Sequence, residues 1–200
     1  MSETIVQKFG GTSLGSVERI DAVAEIIKKA SKKNKIAVVV SAMSGETNRL
    51  IDLANSFGNN PDKREFDALV STGETISSAL LSMALHSKGI KARSFSASQI
   101  AIRTTSSYSK AKILDVDAKK ILDVLENDTI PIITGFQGIT EGGDITTLGR
   151  GGSDTTAVAI AAQINANRCD IYTDVDGIFT TDPDIVSNAK KLDSITMEEM

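Results

Sequence analysis

Ten consecutive residues, Thr147-Leu148-Gly149-Arg150-Gly151-Gly152-Ser153-Asp154-Thr155-Thr156, set three glycines, a cation, a carboxylate and several hydroxyls directly before the apolar run Ala157-Val158-Ala159-Ile160-Ala161-Ala162. Glycines let backbone N–H groups turn toward an anion and approach it closely. The apolar run predicts a helix over 154–164, with Ser153 or Asp154 as its N-cap. The first free N–H groups of that helix and its dipole also favour negative charge. Arg150 adds a planar fork suited to a carboxylate or a phosphate. A plain loop leading into a core helix would not gather so many polar groups, so the block reads as an anion site.

A second glycine turn, Lys8-Phe9-Gly10-Gly11-Thr12-Ser13, follows the short strand Ile5-Val6-Gln7. A helix then begins near Ser16, with Val17, Ile20, Val23, Ala24, Ile27 and Ala30 at helical spacing. Neither the P-loop pattern nor the spaced dinucleotide fingerprint is present. Lys8 instead precedes the glycines, where it can reach over the turn; by position alone it is equally a surface lysine at a strand end. A third segment, Asp170-Ile171-Tyr172-Thr173-Asp174-Val175-Asp176-Gly177, runs from a strand into an acidic turn. It lacks the glutamate that closes a calcium loop, which favours a solvated turn.

The elements that must position these residues alternate as in a layered α/β domain. Strands are predicted over 5–7, 36–41, 92–95, 130–134 and 170–173, and helices over 16–32, 48–57, 63–70, 75–87, 118–126 and 154–164. The 98–116 region reads as short extended pieces and loop, its 104–109 hydroxyl cluster as a surface loop or a cleft lining. Ser41, Gly73-Glu74, Gly135, the 149–154 turn and Asp174 all flank strand ends, where open α/β sheets bind ligands.

Composition narrows the function classes. A net charge of −4 without long basic runs argues against a nucleic-acid surface. No apolar stretch reads as long enough to cross a bilayer. The single cysteine, Cys169, precludes an internal disulfide and reads as a small core residue. The single histidine, His86, ends an apolar helical run, which leaves a Ser-His-Asp hydrolase or a structural zinc site without a candidate.

Six blocks carry a resemblance: Lys8-Phe9-Gly10-Gly11-Thr12-Ser13, Ser41-Ala42-Met43, Ser71-Thr72-Gly73-Glu74, Gly135-Phe136-Gln137-Gly138, the 147–156 block and the 173–183 block. In this order they resemble the aspartokinases of the amino-acid kinase superfamily, from about Ile5 to Met200. The resemblance implies a three-layer αβα sandwich with a mainly parallel central sheet. It implies phosphoryl transfer from ATP to the side-chain carboxylate of L-aspartate, the entry to lysine, threonine and methionine synthesis. It also implies a cytoplasmic, homo-oligomeric whole protein, in which residues 1–200 form the catalytic domain, cut short and without the regulatory domains.

The site residues follow from the same resemblance. Lys8 and Asp154 are catalytic, Lys8 bridging the phosphates with the N–H groups of Gly10 and Gly11. Asp154 organises the phosphate-binding cations or Mg²⁺, a helix N-cap being its plainer role. ATP contacts fall to Lys8, Phe9, Gly10, Gly11 and Ser41, and to Thr173, Asp174, Phe179, Thr180, Thr181, Asp182, Pro183 and Asp184. Substrate contacts fall to Glu74 for the ammonium and Arg150 for the α-carboxylate, with Ser41, Thr47, Gly151, Gly152 and Ser153. Position alone makes Glu74 a first-turn helix glutamate favoured by the dipole. Mg²⁺ is expected to arrive with ATP, with no dedicated protein ligand.

Aspartate's carboxylate, with a pKa near ~4, is already an anion at neutral pH and needs no general base. Catalysis must come from in-line positioning and charge neutralisation. Phe179 stands where the family often has tyrosine, and Asp184 where many members carry arginine or lysine, which implies a weaker but working ATP site. Two alternatives are another phosphotransferase of the superfamily, acting on glutamate, acetylglutamate or a nucleoside monophosphate, and a non-catalytic nucleotide-binding or assembly module. Residues 194–200 read as a helix just starting, with a capping pattern from Thr196 to Glu199.

Overall fold

The computed structural model describes residues 2–58, 60–174, 177, 180, 185, 186 and 188–191. In chain order, β1 (Thr4–Phe9) and α1 (Val17–Ser31) lead into β2 (Lys35–Val40), then α2 (Glu46–Asn55), α3 (Lys63–Val70) and α4 (Thr72–Ser87). β3 (Ala92–Phe95), β4 (Ile102–Thr104) and β5 (Ile113–Val116) precede α5 (Ala118–Glu126). β6 (Ile130–Thr134), β7 (Gln137–Ile139), β8 (Ile145–Thr147), α6 (Gly152–Gln163) and β9 (Arg168–Tyr172) follow.

The central sheet runs β3-β6-β2-β1-β9 with every pairing parallel. Its middle strand, β2, is an unbroken apolar run from Ile36 to Val40, as expected of a strand covered on both faces. Successive side chains point to opposite faces, so the same strands feed two cores. Ile5, Phe9, Ile36, Val38, Val40 and Ile132 pack against α1 and α4 through Ile20, Val23, Ile27, Leu81 and Leu85. Val6, Ala37, Val39 and Ile133 pack on the other face against α5 and α6 through Ile121, Leu125, Ala157 and Ile160. The result is a helix–sheet–helix sandwich around a parallel sheet.

Local signals account for the helix positions. Ser16 caps α1 by accepting the Arg19 N–H at 3.3 Å, and its stripe is buried at Ile20, Val23, Ala24 and Ile27. Val17, which shares the spacing, stays 69% exposed. The 98–116 region supplies β4 and β5, which join β7 and β8 in a second sheet of order β5-β4-β7-β8. The 104–109 hydroxyls are thus more than a surface loop. Thr104 is buried against Thr146 with 2.5 Å between hydroxyl oxygens, while Ser106 and Ser107 are exposed. Gly138 lies so close to Thr104 that a Cβ there would sit 2.1 Å from its Cγ2.

α3 and α4 run on through Ser71, itself in the right-handed helical region, as one rod, Lys63–Ser87. Contrary to the expectation from sequence, that rod reaches the length and apolar content of a membrane-crossing helix, because its polar positions are mostly serine and threonine. Half of its most apolar stretch is buried inside the protein, with Glu74, Ser77, Ser78 and Ser82 turned inward, which is the pattern of a core helix. His86, in its last turn, contacts the Ala92 carbonyl through Nε2 at 2.7 Å. The 194–200 helix expectation lies outside the described residues.

Candidate active site

The parallel strands end on one side of the sheet in a staircase of backbone hydrogen bonds. Gly10 N–H donates to Tyr172 O at 3.0 Å, Ser41 N–H to Phe9 O at 3.1 Å and Gly135 N–H to Val40 O at 2.9 Å. Above these carbonyl ends lies a cleft of about 400 Å³. The dispersed segments 8–11, 41–47, 74, 136 and 149–154 meet there.

Strand alternation decides where Lys8 points. It follows Val6 on the α6 side of β1, and its Nζ lies 2.7 Å from Asp154 Oδ1. Lys8 is buried, whereas the Asp154 side chain is 45% exposed toward the cleft. The opposite parity sends Phe9 to the other face, where it stacks on Tyr172 with centroids 4.5 Å apart. Phe9 therefore supports the cleft from beneath and offers it no side chain. Gly10 spends its N–H on Tyr172 and has none left for a phosphate. At Gly11 a Cβ would stand 2.8 Å from the Ala42 carbonyl, so the two turns approach too closely for any side chain.

Helix starts supply most of the remaining surface. α2 begins after Gly45 (φ +83°), α4 after Ser71 and α6 after Gly151 (φ +73°), and none of these three has a side-chain cap. The cap anticipated at Ser153 or Asp154 is instead Gly151. Both residues lie within the first turn of α6, because the left-handed turn at Gly151 brings the chain into the helix earlier. Thr47 sits in the first turn of α2. Packing fixes α6 tightly: a Cβ on Gly135 would be 2.7 Å from Ser153, and one on Gly152 would be 2.8 Å from the Phe136 ring. Thr156 Oγ1 accepts the Phe136 N–H at 3.2 Å, and Phe136 itself holds φ +66°. A non-glycine residue in that region costs energy, and here it borders the cleft.

Glu74 projects into the cleft from the first turn of α4 and is only 3% exposed. Its Oε1 accepts the Ala42 N–H at 3.0 Å, while Oε2 is buried without a partner. Burial pushes this carboxyl up to about 7, well above its ordinary value of 4.5. Arg150 is exposed at the mouth and forms no ion pair among the described residues. The cleft can therefore receive an anion at Lys8, Arg150 and the starts of α2 and α6, and a cation at Glu74.

Ser41, Thr47, Gly151, Gly152 and Ser153 line this cleft with the charged groups. Thr173 and Asp174, joined by a 3.2 Å hydrogen bond, are exposed beyond the end of β9 and do not line it. Thr180 donates its N–H to Lys190 O at 2.9 Å. Phe179, Thr181, Asp182, Pro183 and Asp184 lie outside the described residues. Sequence reasoning passed over Met43, Ser44 and Phe136 as lining residues, and it passed over Asp67 altogether. Only the Gly-Phe-Gln-Gly spacing signalled Phe136; nothing local marks Asp67. Among the described residues no group of three or more His, Cys, Asp and Glu is placed to hold a metal ion. Cys169 sits half-buried on β9, where burial raises its thiol.

Comparison with known proteins adds an independent line. Residues 3–200 match the model of the amino acid kinase family. An aspartate kinase of Stutzerimonas stutzeri is 56% identical over 197 residues, covering 98% of this chain and 48% of that protein. The structure of Escherichia coli aspartokinase III in complex with aspartate and ADP superposes with a TM-score of 0.85 at 30% identity, over 96% of this chain and 54% of that one. An aspartate kinase structure from Synechocystis gives 0.77 at 48% identity, over 93% and 31% respectively. The chain spans about half the length of the curated relatives it matches.

Proposed function

We propose that this chain, which belongs to the amino acid kinase family, is the catalytic portion of an aspartate kinase. It would transfer the γ-phosphoryl group of ATP to the side-chain carboxylate of L-aspartate, giving 4-phospho-L-aspartate. One observation carries the reading: a buried, unpartnered Glu74 oxygen shares a cleft with Arg150, Lys8–Asp154 and the two uncapped helix starts of α2 and α6. An amino acid presents an ammonium and a carboxylate together. A nucleoside monophosphate has no ammonium to match Glu74.

In this reading Glu74 Oε2 takes the ammonium and Arg150 the α-carboxylate, which turns the side-chain carboxylate toward Lys8. That carboxylate is already the nucleophile, so the chemical task is to neutralise charge on the transferring group and hold attack in line. Lys8, buried and pre-aimed by Asp154, meets the phosphates. The Ser153 N–H in the first turn of α6, which donates to no carbonyl among the described residues, adds a dipole that needs no reorganisation. Mg²⁺ would arrive with ATP. The cleft fits that route, since Mg²⁺ borne by phosphates needs one or two carboxylates and Asp154 presents one, half-exposed. When bound, the ion neutralises phosphate charge. The reading places the protein in the cytoplasm, at the entry to lysine, threonine and methionine synthesis.

The test is ADP release with ATP and Mg²⁺ across aspartate, glutamate, acetylglutamate and UMP, with hydroxylamine present to trap an acyl phosphate. Aspartate-dependent release with a trapped hydroxamate, lost in Lys8→Ala, is the expected result. Turnover preferring another acceptor moves the chain to a different phosphotransferase of the superfamily. Nucleotide binding without turnover on any acceptor makes it a binding module.

A further inference from the structure

Asp67, on α3, is completely buried, yet no cation pairs with it among the described residues. Its charge is held by four donors from two remote segments. Oδ2 accepts the backbone N–H groups of Ser109 and Thr147, each at 2.8 Å, and Oδ1 accepts their hydroxyls, each at 3.0 Å. A buried carboxylate persists only with such complete satisfaction. The clamp holds Ser109 at φ +64°, a conformation that its surroundings must enforce.

Both segments lead to the cleft. From Thr147 the chain passes through Leu148, whose N–H donates to Phe136 O at 3.0 Å, to Gly149 and Arg150. Gly149 rests on the clamped Ser109: a Cβ there would be 3.3 Å from the Ser109 carbonyl. The Ala111 N–H donates to Thr147 O at 2.9 Å and closes the loop onto β8. In the other direction Asp67 shares the continuous rod with Glu74, two helical turns on, or about 10 Å along the axis. Gln137 Nε2 donates to the Ser71 carbonyl between them.

We propose that Asp67 is a positioning residue that fixes the spacing between Glu74 and Arg150, and so the grip on the amino-acid end of the substrate. This rests on the aspartate kinase reading given above. Asp67 touches neither substrate. It joins the rod that carries one contact to the strand that leads to the other.

The test compares Asp67→Asn with Asp67→Leu in the complete polypeptide. An asparagine can keep all four contacts, its oxygen accepting the two backbone N–H groups and its amide donating to two rotated hydroxyls. Its KM for aspartate should therefore stay within twofold of wild type. Asp67→Leu should raise that KM by about tenfold and leave the KM for ATP within twofold. If the leucine variant does not fold, the double change S109A/T147V removes only the hydroxyl half of the clamp and should raise the aspartate KM about threefold, again without moving ATP. Equal shifts for both substrates, or no shift beside a lowered unfolding midpoint, make Asp67 a plain structural staple and overturn the proposal. A wild-type protein without aspartate-dependent turnover instead sinks the reading beneath it.

Discussion

Helix starts in this protein fall into two groups. α1, α3 and α5 are capped by the side chains of Ser16, Asp62 and Asp117, each accepting first-turn N–H groups. α2 and α6 have no side-chain cap, and their first turns reach the cleft, whereas α4, which brings Glu74 there, continues α3 and has no free start of its own. The same backbone feature thus does two jobs. Where a cap occupies the orphan donors, the helix start contributes stability. At α2 and α6, where glycine stands instead, the chain uses only some of these donors, Glu46 on Met43 O, Gly152 on Gly149 O and Asp154 on Gly151 O. This leaves the Thr47 and Ser153 N–H groups open to an anionic ligand.

The largest effect that separates the groups should come from the cation set among the uncapped starts. Lys8→Ala should lower kcat by about 10²-fold or more, near 3 kcal/mol, with the fold intact by circular dichroism. A variant with wild-type kcat would remove Lys8 from the transition state.

Glu74 gives the next effect, in opposite directions for stability and for binding. Its carboxyl titrates near 4.5 when unfolded and at about 7 when folded. The ligand-free protein is therefore favoured by this group below pH 4.5, loses that advantage as pH rises toward 7, and stays level above it. The loss amounts to up to about 3 kcal/mol. Glu74→Gln should erase this slope, making the variant the more stable protein at pH 8 in denaturant titrations while it loses affinity for aspartate. For wild type, the KM for aspartate should fall as pH rises through 7, because the ionised form is the one that meets an ammonium. A flat difference between wild type and variant from pH 5 to 8 would contradict the raised value.

Gly152→Ala sharpens the comparison on the packing side. Its Cβ would lie 2.8 Å from the Phe136 ring and 2.9 Å from Leu148, so α6 must shift at its start. The expected cost is about 1–3 kcal/mol of stability, with a several-fold loss in kcat/KM. The smallest effect belongs to the other group. Ser16→Ala or Asp117→Ala should lower stability by about 1 kcal/mol and leave both KM values and kcat unchanged. Impaired turnover in either variant would dissolve the distinction between the two kinds of helix start.

Most of the frame was legible beforehand. β2 could be read because its apolar run has no other place than a doubly covered strand, and α1 because Ser16 and the Ile20–Ile27 spacing mark both its start and its buried face. The second sheet was not, since β7 and β8 are three residues each and too short for any period to show. Their identity depends on partners such as β4, which lies far away in the chain.

The sequence by itself determined which residue types stand at strand ends and glycine turns, and the alternation along β1 that sends Lys8 and Phe9 to opposite faces. These are local properties, set by φ/ψ preference and by the period of the strand. Only the tertiary structure decided that Lys8 meets Asp154, that Gly10 gives its donor to Tyr172, that Gly151 replaces the expected cap, and that Asp67 ties two remote segments to one helix. It also turned an ordinary first-turn glutamate into a carboxyl that titrates near neutrality. Pairing and desolvation depend on everything that surrounds a group once the chain is assembled, and no local stretch of sequence contains that environment.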